Sequence, residues 1–361
     1  MKRPVPARDG YIAFRGYRTW YRIMGEPADL PGRRPLVLLH GGPGVPWPDR
    51  FGLLDEFASS GRPVVLYHQL GCGRSDWPDD PSLWTVELFV EELHTLRHAL
   101  ALDSVHLFGL SWGGMLALEY ALTQPDGLLS MTLMGTLADV PLYAEEAKRL
   151  RASLPACTRQ TMARMEARWR PPPEQGSGKV RAGRTPRQMR RAALIMRGFI
   201  PLLAARPVQR MAAIASAVPG LERLAYETAR IEWNRRHFIL TFPPPLAMLE
   251  CIAGTNPQVF ETMWGPDDPL PLAARLRTWS VAGSLGQIQV PTLVINGRHD
   301  EVTPRQAAVL AGGLPHARRE IFEHSAHAVM VDEPEAFLAT ILGFLDELDP
   351  KEPPAAPDLA G

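Results

Sequence analysis

Val105-His-Leu-Phe-Gly109-Leu-Ser111-Trp-Gly113-Gly114 is the segment from which the rest of the chain can be read. An apolar run leads into it, and a second apolar segment, Met115–Leu122, has helical character and ends near Pro125. A strand that stops at Gly-x-Ser-x-Gly and resumes as a helix has the form of a nucleophile elbow. The chemistry explains the form. A serine hydroxyl is a weak nucleophile, so it must project from a sharp turn toward a base. Small residues are needed on either side because the turn brings backbone segments close together. Gly-x-Ser-x-Gly recurs by chance; the strand and helix beside it give it weight.

Working outward, Pro35-Leu-Val-Leu-Leu-His40 and Pro63-Val-Val-Leu-Tyr67 are continuous apolar runs, cut by Gly41-Gly-Pro-Gly44 and Gly71-Cys-Gly73. Such runs predict strands buried on both faces, as in a parallel sheet. Residues 11–24 read as a hairpin around Gly16. Val86, Phe89, Val90, Leu93, Leu96 and Leu100 have helical spacing within 85–101, and Leu128–Met134 reads as another strand. Strands alternating with helices imply parallel βαβ units, an α/β class. After Gly135 the texture changes. Residues 140–279 read as helical, rich in Arg and Pro, with no strand-like run of comparable strength. Alternation returns at Pro291-Thr-Leu-Val-Ile-Asn296, at Arg319-Glu-Ile-Phe322, and in an amphipathic helix over 335–348. The expected organisation is a core in two parts, 1–139 and 280–349, with a helical cap inserted over 140–279. A Pro-, Ala- and acid-rich tail, 350–361, is expected to be disordered. Within the cap, residues 148–191 hold 13 Lys and Arg against two acids, Glu166 and Glu174. A solvated cap loop is the preferred reading over a docking face for an anionic partner.

The chain has 361 residues, with 39 basic side chains against 39 acidic ones. That balance argues against nucleic acid or an anionic membrane as the main partner, since both reward a basic face. Cys72, Cys157 and Cys251 are far apart, odd in number and without metal-ligand spacing, which fits a reducing compartment. The N-terminus lacks the apolar run of a secretory signal, and no stretch approaches the ~20 apolar residues of a membrane span. A soluble, cytoplasmic protein is expected. His94 and His98 are four apart on a predicted helix, but they fall off its apolar stripe and no acidic partner motif accompanies them. No metal site is expected there.

Acyl transfer builds negative charge on a carbonyl oxygen, and backbone N–H groups must already be aimed at it. His40-Gly41-Gly42-Pro43-Gly44 follows a buried strand directly, so Gly42 N–H and Trp112 N–H are the candidate oxyanion donors; an ordinary βα turn is the alternative. The triad order of this fold is Ser, then acid, then His. Asp300, at the end of Asn296-Gly-Arg-His-Asp300, follows a strand, a placement that Asp55, Asp76 and Asp126 lack. For the base, His324 and His327 compete in Glu323-His-Ser-Ala-His-Ala; His327, nearer the last helix and among small residues, is preferred. His299 adjoins the acid but is expected to point away. Asp300 would hold the imidazole in the useful tautomer, and activity should fall as His327 protonates, near pH ~6–7 for an ordinary His pKa of ~6.5. A serine at the elbow excludes dehalogenases and epoxide hydrolases of this fold, which attack with a carboxylate.

Five blocks carry a family resemblance: His40-Gly-Gly-Pro-Gly44, Gln69-Leu-Gly-Cys-Gly-Arg-Ser75, Gly109-Leu-Ser-Trp-Gly-Gly114, Trp264-Gly-Pro-Asp-Asp268 and His299-Asp-Glu-Val-Thr-Pro304. With them the chain resembles the proline iminopeptidase (prolyl aminopeptidase) family over most of 10–136 and 240–345. The resemblance implies an α/β-hydrolase core with a mostly parallel sheet and an inserted helical cap. It also implies removal of an N-terminal residue, often proline, from a small peptide or amide through an acyl-enzyme, without metal or cofactor. Such an enzyme must recognise a free α-ammonium, and a charge-assisted hydrogen bond to one is worth ~1.5–3 kcal/mol. By position the amine-binding acids are Asp268 and Glu301, with Glu232 and Glu250 on cap helices as weaker candidates. Trp264, Trp233, Phe238 and Phe242 are candidate pocket aromatics or cap core. The chain departs from the family at Asp268, usually Glu, at His68, usually Asp, and at Trp112, where Tyr is common; the cap over 140–240 barely matches. These departures keep open an esterase, lactonase or tailoring amidase that uses the same triad on a non-peptide, and a non-catalytic binding module on the same fold.

Overall fold

The computed structural model describes residues 6–25, 33–48, 52–168, 176–203, 222–265 and 274–349. Asp268 and the tail over 350–361 lie outside the described residues. The strands are β1 (Ala7–Phe14), β2 (Tyr17–Met24), β3 (Leu36–Leu39), β4 (Val64–His68), β5 (Trp77–Pro78), β6 (Val105–Leu110), β7 (Leu128–Met134), β8 (Val180–Arg181), β9 (Thr292–Gly297) and β10 (Ala317–Phe322). Eight of them form one sheet in the order β1-β2-β4-β3-β6-β7-β9-β10. The pairings are antiparallel as far as β4 and parallel beyond it.

The apolar runs split by alternation between two cores. Val37 and Leu39 of β3 and Val65 and Tyr67 of β4 face one hydrophobic cluster, while Leu36, Leu38, Val64 and Leu66 face the other. The first cluster is closed by α2 (Val86–Ala99), α3 (Trp112–Leu122) and α10 (Pro304–Gly313); the second is closed by α1 (Gly52–Ser59) and α12 (Pro334–Leu348). A strand covered on both sides has no face for polar residues, which is why periodicity of two vanished from these runs. The parallel sheet, its hairpin edge and the strands read around the elbow agree with the sequence reading. α1 and α10 were not read from sequence. Each is short, and α10 is built largely from Ala and Gly, so neither writes a clear apolar stripe.

Between β7 and β9 the chain forms α4 (Val140–Ala152), α5 (Ala156–Arg168), α6 (Pro186–Leu203), α7 (Glu222–His237), α8 (Leu246–Ala253) and α9 (Pro257–Met263). This stretch is not wholly helical. β8 lies within it and pairs antiparallel with β5, Trp77 opposite Arg181 and Pro78 opposite Val180. A two-residue strand is too short to show a period. Among the described residues, no helix is long and apolar enough to cross a membrane.

Candidate active site

Ser111 stands alone between β6 and α3 with φ +52° and ψ −117°, a conformation that non-glycine residues rarely adopt. The turn is held from two sides. Ser111 N–H donates to Met134 O at 2.8 Å, and Thr136 Oγ1 donates to Ser111 O at 2.7 Å. The glycines are spatial requirements. A Cβ on Gly109 would lie 2.5 Å from Gly113 O, one on Gly114 would lie 2.5 Å from Thr136 Cβ, and one on Gly113 would run into the Leu39 carbonyl. The elbow is wedged between the ends of β3 and β7, and only backbone without side chains passes there.

Asp300, on the loop after β9, accepts from His327 Nδ1–H at 2.8 Å and from Val302 N–H at 2.8 Å, both on Oδ1. His327 lies between β10 and α11 (Val329–Asp332), and both side chains are buried. With its Nδ1 proton on Asp300, the imidazole presents Nε2 as its basic nitrogen. Gly135 makes room for the pair: with φ +53°, a Cβ there would sit 2.8 Å from His327 Cε1 and Nδ1 and 3.2 Å from Asp300 Oδ2. His324, the competing histidine, is exposed. His299 offers its carbonyl to His237 Nδ1 at 3.0 Å, while Asp76 is committed to Arg18 at 3.0 Å.

The turn after β3 packs against the elbow; a Cβ on Gly41 would lie 3.6 Å from Ser111 Cβ. Gly42 has φ +116°, and a Cβ on it would lie 2.6 Å from Gly44 N. Trp112 opens α3, where the first N–H groups of a helix have no partner within it. His68, where the family usually has Asp, is buried against Trp20, with ring centroids 4.3 Å apart. Its Nδ1 accepts from Arg74 N–H at 3.0 Å and its Nε2–H donates to Trp47 O at 2.9 Å. Burial holds its pKa well below the usual histidine value, so it serves as a neutral two-ended bridge.

Ser111, His327, Gly41 and Gly42 line one cavity of about 590 Å³, together with Glu301 and Trp264. Glu301 is buried, and its Oε2 accepts from Trp233 Nε1–H at 2.8 Å. Trp233 thus backs the carboxylate, while Phe238 lines the cavity, its ring centroid 5.2 Å from that of His327. Phe242 is not in the lining; the Arg235 guanidinium lies over its ring. Glu232 pairs with Arg236 at 2.7 Å, and neither it nor Glu250 is in the lining. Sequence reasoning missed Glu227, Arg230 and Asn234 of α7, Glu261 of α9, and Arg184, all of which line the cavity. Glu227, Arg230 and Asn234 stand at i, i+3 and i+7, so one polar face of α7 looks into the site, a period that could have been read.

Residues 34–170 match the family profile for the alpha/beta hydrolase fold, and with this sheet, elbow and carboxylate–imidazole pair the protein is an α/β-hydrolase. A proline iminopeptidase of Levilactobacillus brevis is 34% identical over 341 residues, 94% of this chain and 96% of that protein. Among solved structures, VinJ superposes with a TM-score of 0.75 at 31% identity, covering 94% of this chain and 99% of its own. The proline iminopeptidase of Mycobacterium smegmatis gives a TM-score of 0.72 at 30% identity, covering 94% and 98%. The chain belongs to the proline iminopeptidase family.

Proposed function

We propose that this protein is a serine aminopeptidase that releases an N-terminal residue, proline or another small apolar one, from a peptide or amide. In this reading Ser111 Oγ attacks the scissile carbonyl while His327 Nε2 takes its proton, and Asp300 stabilises the imidazolium that forms. Gly42 N–H and Trp112 N–H receive the oxyanion. His327 then protonates the departing amine, and water, activated by the same imidazole, clears the acyl-enzyme. Glu301, with Asp268 as second candidate, takes the free ammonium. The observation that carries the proposal is the pairing of Asp300 with His327 on a cavity that also holds Ser111 and the adjacent carboxylate of Glu301. The relatives named proline iminopeptidase support the substrate class. Helices α4 to α9 serve as the cap over 140–279 that selects the substrate. Cys72, Cys157 and Cys251 are all free thiols, which supports a cytoplasmic setting.

A panel of aminoacyl chromogenic amides, each with a free and an N-acylated amine, tests this. Turnover confined to free amines is expected; good turnover of blocked amides or simple esters, with none of free amines, would overturn it. One observation favours a second reading. A cavity of about 590 Å³ is of the size that holds a drug-like ligand, more than one small residue fills. That supports a tailoring amidase or esterase acting on a larger non-peptide molecule with the same triad. Faster turnover as the leaving amine is enlarged from ammonia to a bulky apolar amine would favour it.

A further inference from the structure

We infer that Gln69 is a positioning residue that ties the two oxyanion donors together: its backbone N–H selects the His40 tautomer that holds the Gly41 carbonyl, and its side-chain carbonyl holds the Trp112 indole. The inference rests on the reading of Ser111 as nucleophile.

Gly41 C=O and Gly42 N–H belong to one peptide, and in a trans peptide they point in opposite directions. Whatever anchors the carbonyl therefore aims the N–H. Gly41 O accepts from His40 Nδ1–H at 2.9 Å and from Val45 N–H at 3.3 Å. His40 can make that bond as a neutral ring only if the proton is on Nδ1 and Nε2 is bare. Gln69 N–H, 3.0 Å from Nε2, enforces this state, because two N–H groups cannot face each other. In the opposite tautomer both contacts fail, and the Gly41–Gly42 peptide loses its main anchor. Burial favours the neutral ring, pushing the His40 pKa down to about 4.

The other half of the device is the side chain. An indole Nε1–H only donates, so its 2.9 Å contact identifies the Gln69 oxygen as the partner of Trp112. Trp112 is the first residue of α3, directly after Ser111, and its backbone N–H is the second oxyanion donor. Holding its ring holds the helix end. Gln69, His40 and Trp112 are all essentially inaccessible to water, so solvent does not compete for these bonds. Gln69 follows β4 directly; β4 pairs with β3, which leads into His40, and β3 pairs in turn with β6, which leads into Ser111 and Trp112. The block Gln69–Ser75 was prominent in the sequence without a role; its first residue is the clamp.

The test combines kinetics on the intact enzyme with nitrogen NMR of His40. In the wild type, His40 should show a protonated Nδ1 and a bare Nε2. His40→Ala should lower kcat about 10²-fold, the loss expected for one oxyanion donor, with KM within about twofold. His40→Asn places an amide N–H close to where Nδ1–H stood, and it should recover most of that loss. Gln69→Leu and Trp112→Phe should each lower kcat, and the double variant should lose no more than the worse single, because they remove one bond. A fluorophosphonate probe separates the two levels of the argument. A wild type that resists labelling at Ser111 fails the nucleophile reading. A labelled wild type with a protonated Nε2, or with His40→Ala and His40→Asn equally impaired, or with effects confined to KM, overturns the clamp. Should His40→Ala fail to fold, the NMR tautomer and the Gln69–Trp112 cycle decide alone.

Discussion

The floor and the roof of the cavity are built on different principles. On the floor, Ser111, Gly42 and His327, with Asp300 behind His327, sit on loops at the ends of core strands, where backbone crosses backbone at distances that exclude a Cβ. On the roof, Glu227, Arg230, Phe260 and Trp264 come from the helices between β7 and β9 and their ends. The floor therefore leaves motifs in the sequence, whereas the roof leaves only a weak helical period. The two parts are nonetheless sewn together beside the loops that carry Glu301 and His327. The His237 carbonyl, at the end of α7, accepts from Glu301 N–H at 3.0 Å and His327 N–H at 3.3 Å. Glu146 of α4, fully buried, accepts from Thr303 Oγ1 and Arg305 Nη1, each at 2.9 Å.

If the floor carries the chemistry, its variants should remove rate without changing selectivity. Ser111→Ala should lower kcat by about 10⁵–10⁶-fold, the scale of nucleophile loss in serine hydrolases, while the melting temperature moves little. Residual activity within tenfold of wild type would mean the reaction does not pass through Ser111. Gly135→Ala should come next. Its Cβ would press on both His327 and Asp300 from a residue already at φ +53°, so a loss of ~10²-fold or more in kcat is expected, the scale of an angstrom of misplacement. A stability loss of ~1–3 kcal/mol should accompany it. Normal kcat in a folded Gly135→Ala enzyme would show that the imidazole has more freedom than the geometry allows.

The comparison is sharpened at Glu301, which sits on a floor loop but faces the roof. Glu301→Gln keeps the hydrogen bond from Trp233 and removes only the charge. A charge-assisted bond of ~1.5–3 kcal/mol corresponds to about a 10–100-fold fall in kcat/KM for free-amine substrates. Blocked or uncharged substrates should change by less than about twofold. Equal losses for both would assign Glu301 to packing, and the roof would then have to supply the ammonium site, with Glu227 and Glu261 as its acids.

Legibility in the sequence follows the same division. The parallel sheet was readable because strands buried on both faces must be apolar throughout, as Leu36–Leu39 and Val64–Tyr67 are. The elbow was readable because Gly109, Gly113 and Gly114 admit no substitute. His327 was preferred to His324 for its small neighbours and its place nearer the last helix; it meets Asp300, whereas His324 is exposed. The roof was not readable from residue type. Glu232 was read as a weaker anchor and Glu227 was not read at all; five residues apart on α7, the first pairs with Arg236 and the second lines the cavity. The β5–β8 pairing, which ties residues 180–181 to the core, has too few residues to carry any pattern.

Beneath the floor lies a group whose titration offers the smallest and most specific check. Glu92 of α2 is fully buried; its Oε1 accepts from Leu70 N–H at 2.8 Å and from the Thr19 hydroxyl, next to the Gln69 clamp. Burial pushes its pKa up to about 8, against ~4.3 for a free glutamate. The folded protein therefore keeps a proton that the unfolded chain has already lost. The stabilising contribution of the protonated acid is complete below the unfolded value and declines as pH rises toward 8, beyond which no more is lost. Glu92→Gln replaces the protonated acid with an uncharged group of the same shape, and it retains an acceptor for Leu70. The variant should match the wild type near pH 4.5 and melt a few degrees higher at pH 8.5, with kcat unchanged at neutral pH. Parallel melting curves across that range would mean that Glu92 ionises as freely in the fold as in water, and that the layer supporting Gln69 is wetter than its burial implies.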